Sequence, residues 1–244
     1  LLIEILRTLG NRLLIHKLSL VVVLVLGLSH LSAKENGIFI GVQLGYGSGN
    51  FDNAVTLRNN LENLAYYGGG IRFGVVAGYK HFFTPKVGLR YYAGLSYGGL
   101  NFENLAYNGT NWKNRVSGTQ INYSANIDLL ANFITSEEIN FGGFIGLSVG
   151  GVNYSGGDLD DFERQDVAAV NPAWKLDRNA IDVALNIGLR NTIATNHSIE
   201  VVGRIPFVDA ILLDKTMSVN ANRSSFKTKI ANSYDLFIRY IYAF

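Results

Sequence analysis

The chain has 244 residues, 16% charged and 12% aromatic, with 27 glycines, no cysteine and a formal charge of +2. The small net charge excludes a nucleic-acid partner on electrostatic grounds. The missing cysteine excludes disulfides, thioether lipid anchors and thiolate metal sites. A soluble globular chain carries about 25% charged residues, so this composition asks for another solvent.

In chain order, Arg7, Arg12 and Lys17 precede an apolar run from Leu18 to Leu28, which is followed by Leu31-Ser32-Ala33. Basic residues, a short apolar core and a small residue at the end describe a cleaved signal peptide over residues 1–33. The run is too short for a membrane-spanning helix of about 20 residues. The chain begins without Met, and Leu1–Ile15 is given no structural weight. Removing residues 1–33 takes away three bases and one acid, which leaves residues 34–244 neutral.

Eight segments then alternate with a two-residue period, the signature of a strand with two different faces. They are Ile38–Tyr46, Ile71–Lys80, Val87–Tyr97, Ile121–Phe133, Phe141–Gly150, Ile181–Arg190, Ile199–Phe207 and Tyr234–Phe244. One face carries no charge in any of the eight. The other is rich in glycine, amides, hydroxyls and charges. A soluble sandwich or lipocalin-like barrel gives no reason for a solvent face so full of glycine. A narrow barrel does, because small inward residues leave room for larger ones. Pro206 costs a ladder hydrogen bond and is expected near a strand end.

The connections alternate as well. Those at 84–86, 135–138 and 194–197 are short, and those at 48–70, 98–119, 152–180 and 208–232 are long. Short turns at one end and long loops at the other are the pattern of outer-membrane barrels. The prediction is all-β: an eight-stranded antiparallel transmembrane β-barrel in the bacterial outer membrane, with both mature termini in the periplasm.

Ten inward-facing charges form the candidate site: Arg72, Lys80, Arg90, Arg190, Arg204 and Arg239 as bases, and Asp128, Asp182, Glu200 and Asp235 as acids. They read either as a packed lumen of paired charges or as an ion path with mild anion preference. Eight strands enclose a space just wide enough for side chains, which favours the packed network. Bare burial of a charge costs several kcal/mol, so these residues are expected to be paired or solvated.

No catalytic, metal or cofactor site is expected. His81 and His197 are the two histidines after residue 33, both fall beside short turns, and neither has a serine and acid grouped with it. The acids Asp158, Asp160, Asp161, Glu163 and Asp166 lack the order of a calcium-binding loop and read as a solvated loop. Leu57, Leu61 and Leu64 have helical spacing within Thr56–Tyr67, which suggests a short helix over the mouth. The glycosylation patterns Asn108-Gly109-Thr110 and Asn153-Tyr154-Ser155 are too short to carry weight.

Several stretches resemble the Helicobacter outer membrane protein family, the Hop/Hor group. They are Gly78-Tyr79-Lys80-His81-Phe82-Phe83 with Val87-Gly88-Leu89-Arg90-Tyr91-Tyr92, and Phe141-Gly142-Gly143-Phe144-Ile145-Gly146. To these add Asn186-Ile187-Gly188-Leu189-Arg190-Asn191 with His197, Ile205-Pro206-Phe207, and Tyr234–Phe244. The resemblance implies an outer-membrane barrel, with some members acting as porins and others as host-cell adhesins. Those adhesins carry a large external domain near the N-terminal end, whereas the first long loop here has only about twenty residues. The resemblance therefore transfers the fold better than the activity. The expected role is a small non-enzymatic envelope protein making structural or host and surface contacts through external loops; the alternative is a narrow porin. Expected partners are outer-membrane lipid and lipopolysaccharide, a host or surface ligand at the loops, and the barrel-assembly machinery, which by resemblance reads Tyr240, Tyr242 and Phe244.

Overall fold

Strands whose two faces differ in polarity bury every backbone donor and acceptor in an apolar solvent only if their sheet closes. The computed structural model describes residues 36–57, 60–104, 115–135, 139–193, 196–219 and 222–244. It contains β1 (Gly37–Leu57), β2 (Asn60–Phe82), β3 (Val87–Glu103), β4 (Arg115–Thr135) and β5 (Ile139–Ser155). A helical segment follows: α1 (Gly157–Phe162), a π-helical stretch (Glu163–Val167) and a last turn, α2 (Ala168–Val170). Then come β6 (Asn179–Ile193), β7 (His197–Pro206), β8 (Ala210–Val219) and β9 (Asn222–Ala243). The expected signal peptide, residues 1–33, lies outside the described residues, as does Asn108-Gly109-Thr110.

From β1 to β7 each strand pairs antiparallel with the next, β7 pairs with β9, and β9 returns to β1 from Phe39↔Ala243 to Thr56↔Ser225. The ring therefore has eight strands, β1 to β7 and β9. The remaining strand, β8, prolongs β7: β7 pairs with Asp235–Tyr242 of β9, and β8 pairs with Asn222–Ile230 on the same edge. The barrel has a turn end, which carries Phe83–Lys86, and an opposite loop end.

The strands run well past the eight predicted segments, and two expected loops are corrected. Residues 48–57 and 60–70 are strand and pair up to Leu57↔Asn60, so the described residues of the suggested helix, 56–57 and 60–67, are strand instead. Continuous pairing with β1 satisfies that segment's backbone groups and overrides the local leucine spacing. Residues 208–232 hold β8 and the loop-end half of β9. The Pro206 expectation agrees with the strand boundary, since β7 ends there.

Along these long strands the polarity inverts. In the half towards the turn end, apolar side chains point out, with Ile71 at 67% and Ile181 at 68% exposure. A band of this kind around a closed ring is a lipid-facing surface. In the loop-end half the interior is apolar: Phe51, Tyr66, Leu100, Phe102, Val116 and Tyr154 are buried in one cluster. Their outward neighbours include Asn101, Glu103, Arg115 and Lys227, all exposed. That half has the inside-out pattern of a soluble barrel, and each large buried side chain stabilises it by about 1.5–3 kcal/mol.

The segment after β5 folds back into this mouth. Leu159, Val167 and Leu176 join the apolar cluster, with Phe162 and Trp174 packed against it. The chain beyond α2 then runs between β5 and β8: Tyr154 N–H donates to Arg178 O and Asp177 N–H to Leu212 O, each at 2.8 Å. Acids in the segment tie it down. Ser117 N–H donates to Asp158 at 2.8 Å, Arg178 lies 2.5 Å from Asp160, and Leu176 N–H donates to Glu163 at 3.0 Å. The acidic loop expected to be solvated is thus partly an anchoring device.

Candidate functional site

Below the apolar cap, the inward residues of the lipid-facing half form a polar column. All ten charges named from the sequence sit in it. Nine are buried, and Arg204 is part-buried.

The layer nearest the cap joins five strands. Arg72 on β2 places Nη1 2.5 Å from Asp235 Oδ1 on β9, and Arg204 on β7 places Nη1 3.2 Å from Asp235 Oδ2. Arg204 also pairs with Asp182 on β6, which accepts from the Asn122 amide. The layer is tied to the cap through Asn232, whose amide donates to the Tyr154 hydroxyl at 2.9 Å.

The next layer is centred on Arg90 of β3. Its Nε donates to Asp128 Oδ2 at 2.8 Å and its Nη1 to Glu200 Oε1 at 2.6 Å. The same guanidinium lies 4.2 Å from the centre of the Phe144 ring, a cation–π contact. Arg239 reaches Glu200 at 3.6 Å, and its Nε donates to Gln43 at 2.9 Å. Asn186 donates to Asn126 at 3.1 Å and closes the layer across the lumen.

Towards the turn end, Arg190 Nη2 donates to Asn132 Oδ1 at 2.8 Å and the guanidinium stacks over Phe82 at 5.0 Å. Lys80 is buried at the same end. A ring-lined floor of Phe82, Leu130, Phe144, Val202 and Phe237 lies beside them.

Inward glycines make these layers fit. A Cβ at Gly47 would overlap both the Arg72 guanidinium and the Asp235 carboxylate, and a Cβ at Gly146 would overlap Asp128. Within the network lies a cavity of about 30 Å³, lined by Gln43, Arg72, Tyr92 and Asn186 among others. A water needs roughly 10–15 Å³ by this measure, so the cavity suits one or two waters rather than a column of them.

The remaining candidates lie elsewhere. His197 is exposed at the turn end, its Nδ1 2.7 Å from the Tyr240 hydroxyl, and His81 packs edge-on to Phe83 at 4.9 Å. The side-chain contacts given for both are with aromatic residues, Tyr240 and Tyr242 for His197 and Phe83 for His81. Among the described residues, no group of three or more His, Asp or Glu side chains is arranged to hold a metal ion. Tyr240 is exposed, but Phe244, read from sequence on the lipid side, is buried and edge-on to Tyr242 at 5.0 Å. The sequence reading missed the apolar cap. Its signal was present in the alternation: Phe51 continues the inward phase of Gly47 and Gly49, and Leu100 and Phe102 continue that of Ser96 and Gly98.

Comparison with known proteins gives the family. The crystal structure of outer membrane protein OprG from Pseudomonas aeruginosa is 12% identical over 85% of this chain and 96% of that one, with a TM-score of 0.48. Ail of Yersinia pestis, in complex with the heparin analogue sucrose octasulfate, is 12% identical over 81% and 99%, with a TM-score of 0.31. The outer membrane protease OmpT from Escherichia coli is 14% identical over 88% and 99%, with a TM-score of 0.35. No curated protein matches the chain. A family model described as Helicobacter outer membrane protein matches residues 74–244, from the lipid-facing part of β2 through β9. The chain belongs to that family and is an outer-membrane β-barrel protein.

Proposed function

We propose that the protein is a closed, non-enzymatic barrel whose loop end faces the outside of the cell and makes surface contacts, while the short turns and both mature termini lie in the periplasm. One observation carries this reading: an apolar cap, two charge layers and a second apolar cluster pack across the lumen, and the cavity between the charged side chains suits one or two waters. Paired charges and stacked guanidiniums serve here to fill a narrow interior, which is the expected state for eight strands. The two histidines stand apart from the lumen acids and offer no nucleophile–base pair, which supports a role without catalysis. In this reading the exposed rim and the helical cap segment meet lipopolysaccharide and a host or surface ligand. The aromatic end of β9, with Tyr240, Tyr242 and Phe244, engages the assembly machinery.

Single-channel recording of the refolded protein in planar bilayers tests the closed lumen. The expected trace shows no steady conductance above the lipid background. Steady openings that shrink in Arg90→Gln or Arg239→Gln would replace this reading with the narrow porin.

A further inference from the structure

The loop end holds a second cavity, separate from the charge layers. It measures about 310 Å³ and lies between the helical segment and the inward faces of β1, β2, β8 and β9. Its volume falls at the lower end of small-molecule sites, which run from about 300 to 1,000 Å³.

The walls are chiefly apolar and aromatic, including Val55, Leu64, Phe162, Trp174, Leu213 and Phe226. Trp174 and Phe226 meet edge to face with ring centres 5.4 Å apart. Faces and edges held at this spacing suit the insertion of another ring by offset or edge contact.

Two buried polar side chains interrupt the apolar wall. The Thr228 hydroxyl donates to Asn53 Oδ1 at 3.1 Å. Asn53 is 8% exposed, and it meets Thr228 through Oδ1, which leaves its amide N–H groups as the donors on this wall. An amide donor set in an apolar wall gains from an acceptor oxygen on a guest. Among the described residues no basic side chain lines the cavity, so an anionic guest would meet no counter-charge there.

We infer that this cavity is a binding site for an uncharged aromatic molecule bearing one hydrogen-bond acceptor. The ring occupies the space between Phe162, Trp174 and Phe226, and the acceptor meets the Asn53 amide. The inference does not depend on the lumen being closed.

Equilibrium dialysis of the refolded full chain against 2-acetylnaphthalene, at matched detergent on both sides, tests it. The wild-type protein binds one molecule per chain, saturably, above micellar partition. Val55→Trp fills the cavity and abolishes saturable binding, while the folded and boiled forms still separate on a denaturing gel. If that variant fails to fold, Val170→Trp at the exposed rim serves in its place. Asn53→Leu weakens the ketone by about 2- to 12-fold, the loss of one hydrogen bond, and leaves 2-ethylnaphthalene unchanged. Uptake that never saturates, or that is equal in wild type and the filled variant, overturns the site. Unchanged ketone affinity in Asn53→Leu overturns the assigned acceptor.

Discussion

Arg72 and Asp235 form a 2.5 Å ion pair although their strands are not neighbours: β1 runs between β2 and β9, and the pair meets over it. Gly47 of β1 is what allows this, since a side chain there would occupy the space of both groups. Gly47→Val is expected to separate the pair and destabilise the barrel by about 3–5 kcal/mol, the usual cost of leaving a buried charge uncompensated. Asp235→Leu alone is expected to cost a similar amount, and Arg72→Met combined with Asp235→Leu much less than the sum. Urea unfolding in lipid vesicles of these variants and of Arg72→Met alone measures the coupling; simple additivity of the double variant would remove it.

Glu200 holds two guanidiniums, with Arg90 at 2.6 Å and Arg239 at 3.6 Å. Glu200→Gln leaves like charges facing each other in a dry interior, and a loss of about 3–5 kcal/mol is expected. Because these groups are buried, the loss should be nearly the same in low and high salt. A loss that salt erases would mean the layer is solvated.

The inversion of polarity locates the membrane along β9. Ile238 is 66% exposed on the lipid-facing half, and Ile238→Arg is expected to cost about 2–4 kcal/mol in vesicles, as for a charge near the bilayer midplane. Lys227 is exposed on the same strand beyond the inversion, and Lys227→Leu should stay within about 0.5 kcal/mol. Equal costs at the two positions would refute the boundary.

Leu159 is a buried anchor of the cap segment, at 2% exposure. Leu159→Asp puts a carboxylate among Phe51, Tyr154 and Val167 and is expected to unseat the segment while leaving the lipid-facing half folded. Limited trypsin digestion should then cut rapidly after Arg164 and Arg178 in the variant and slowly in the wild type. Identical digestion patterns would show that the segment is not held by this packing.

The lipid-facing half was legible in the sequence because its alternation is unbroken: Arg90, Asp128, Asn186 and Arg239 each fall in phase with their strand. The loop-end half was not, for two physical reasons. The register of β9 against β1 shifts at Ser48/Gly49, so the inward phase passes from Asp235 to Ile230 across an extra residue and the alternation no longer reads as one strand. A second shift at Ile211/Leu213 hides β8 in the same way. Leu57, Leu61 and Leu64 misled differently, since their spacing suits a helix while the hairpin partner settles the backbone. The ten charges could be assigned to the inner face from parity alone. Which acid meets which base depends on the stagger of strands around the ring, and no single segment contains that information.

The alternation of faces forbids a strand from sliding by one residue, because every side chain would change sides. It does not forbid sliding by two. In this lumen a two-residue slip of β3 would carry Arg90 away from both Asp128 and Glu200, and a slip of β9 would strand Asp235 from Arg72 and Arg204. The interior charges therefore index the ring: slips by two that the outer surface would tolerate part these buried carboxylates from the guanidiniums they meet here.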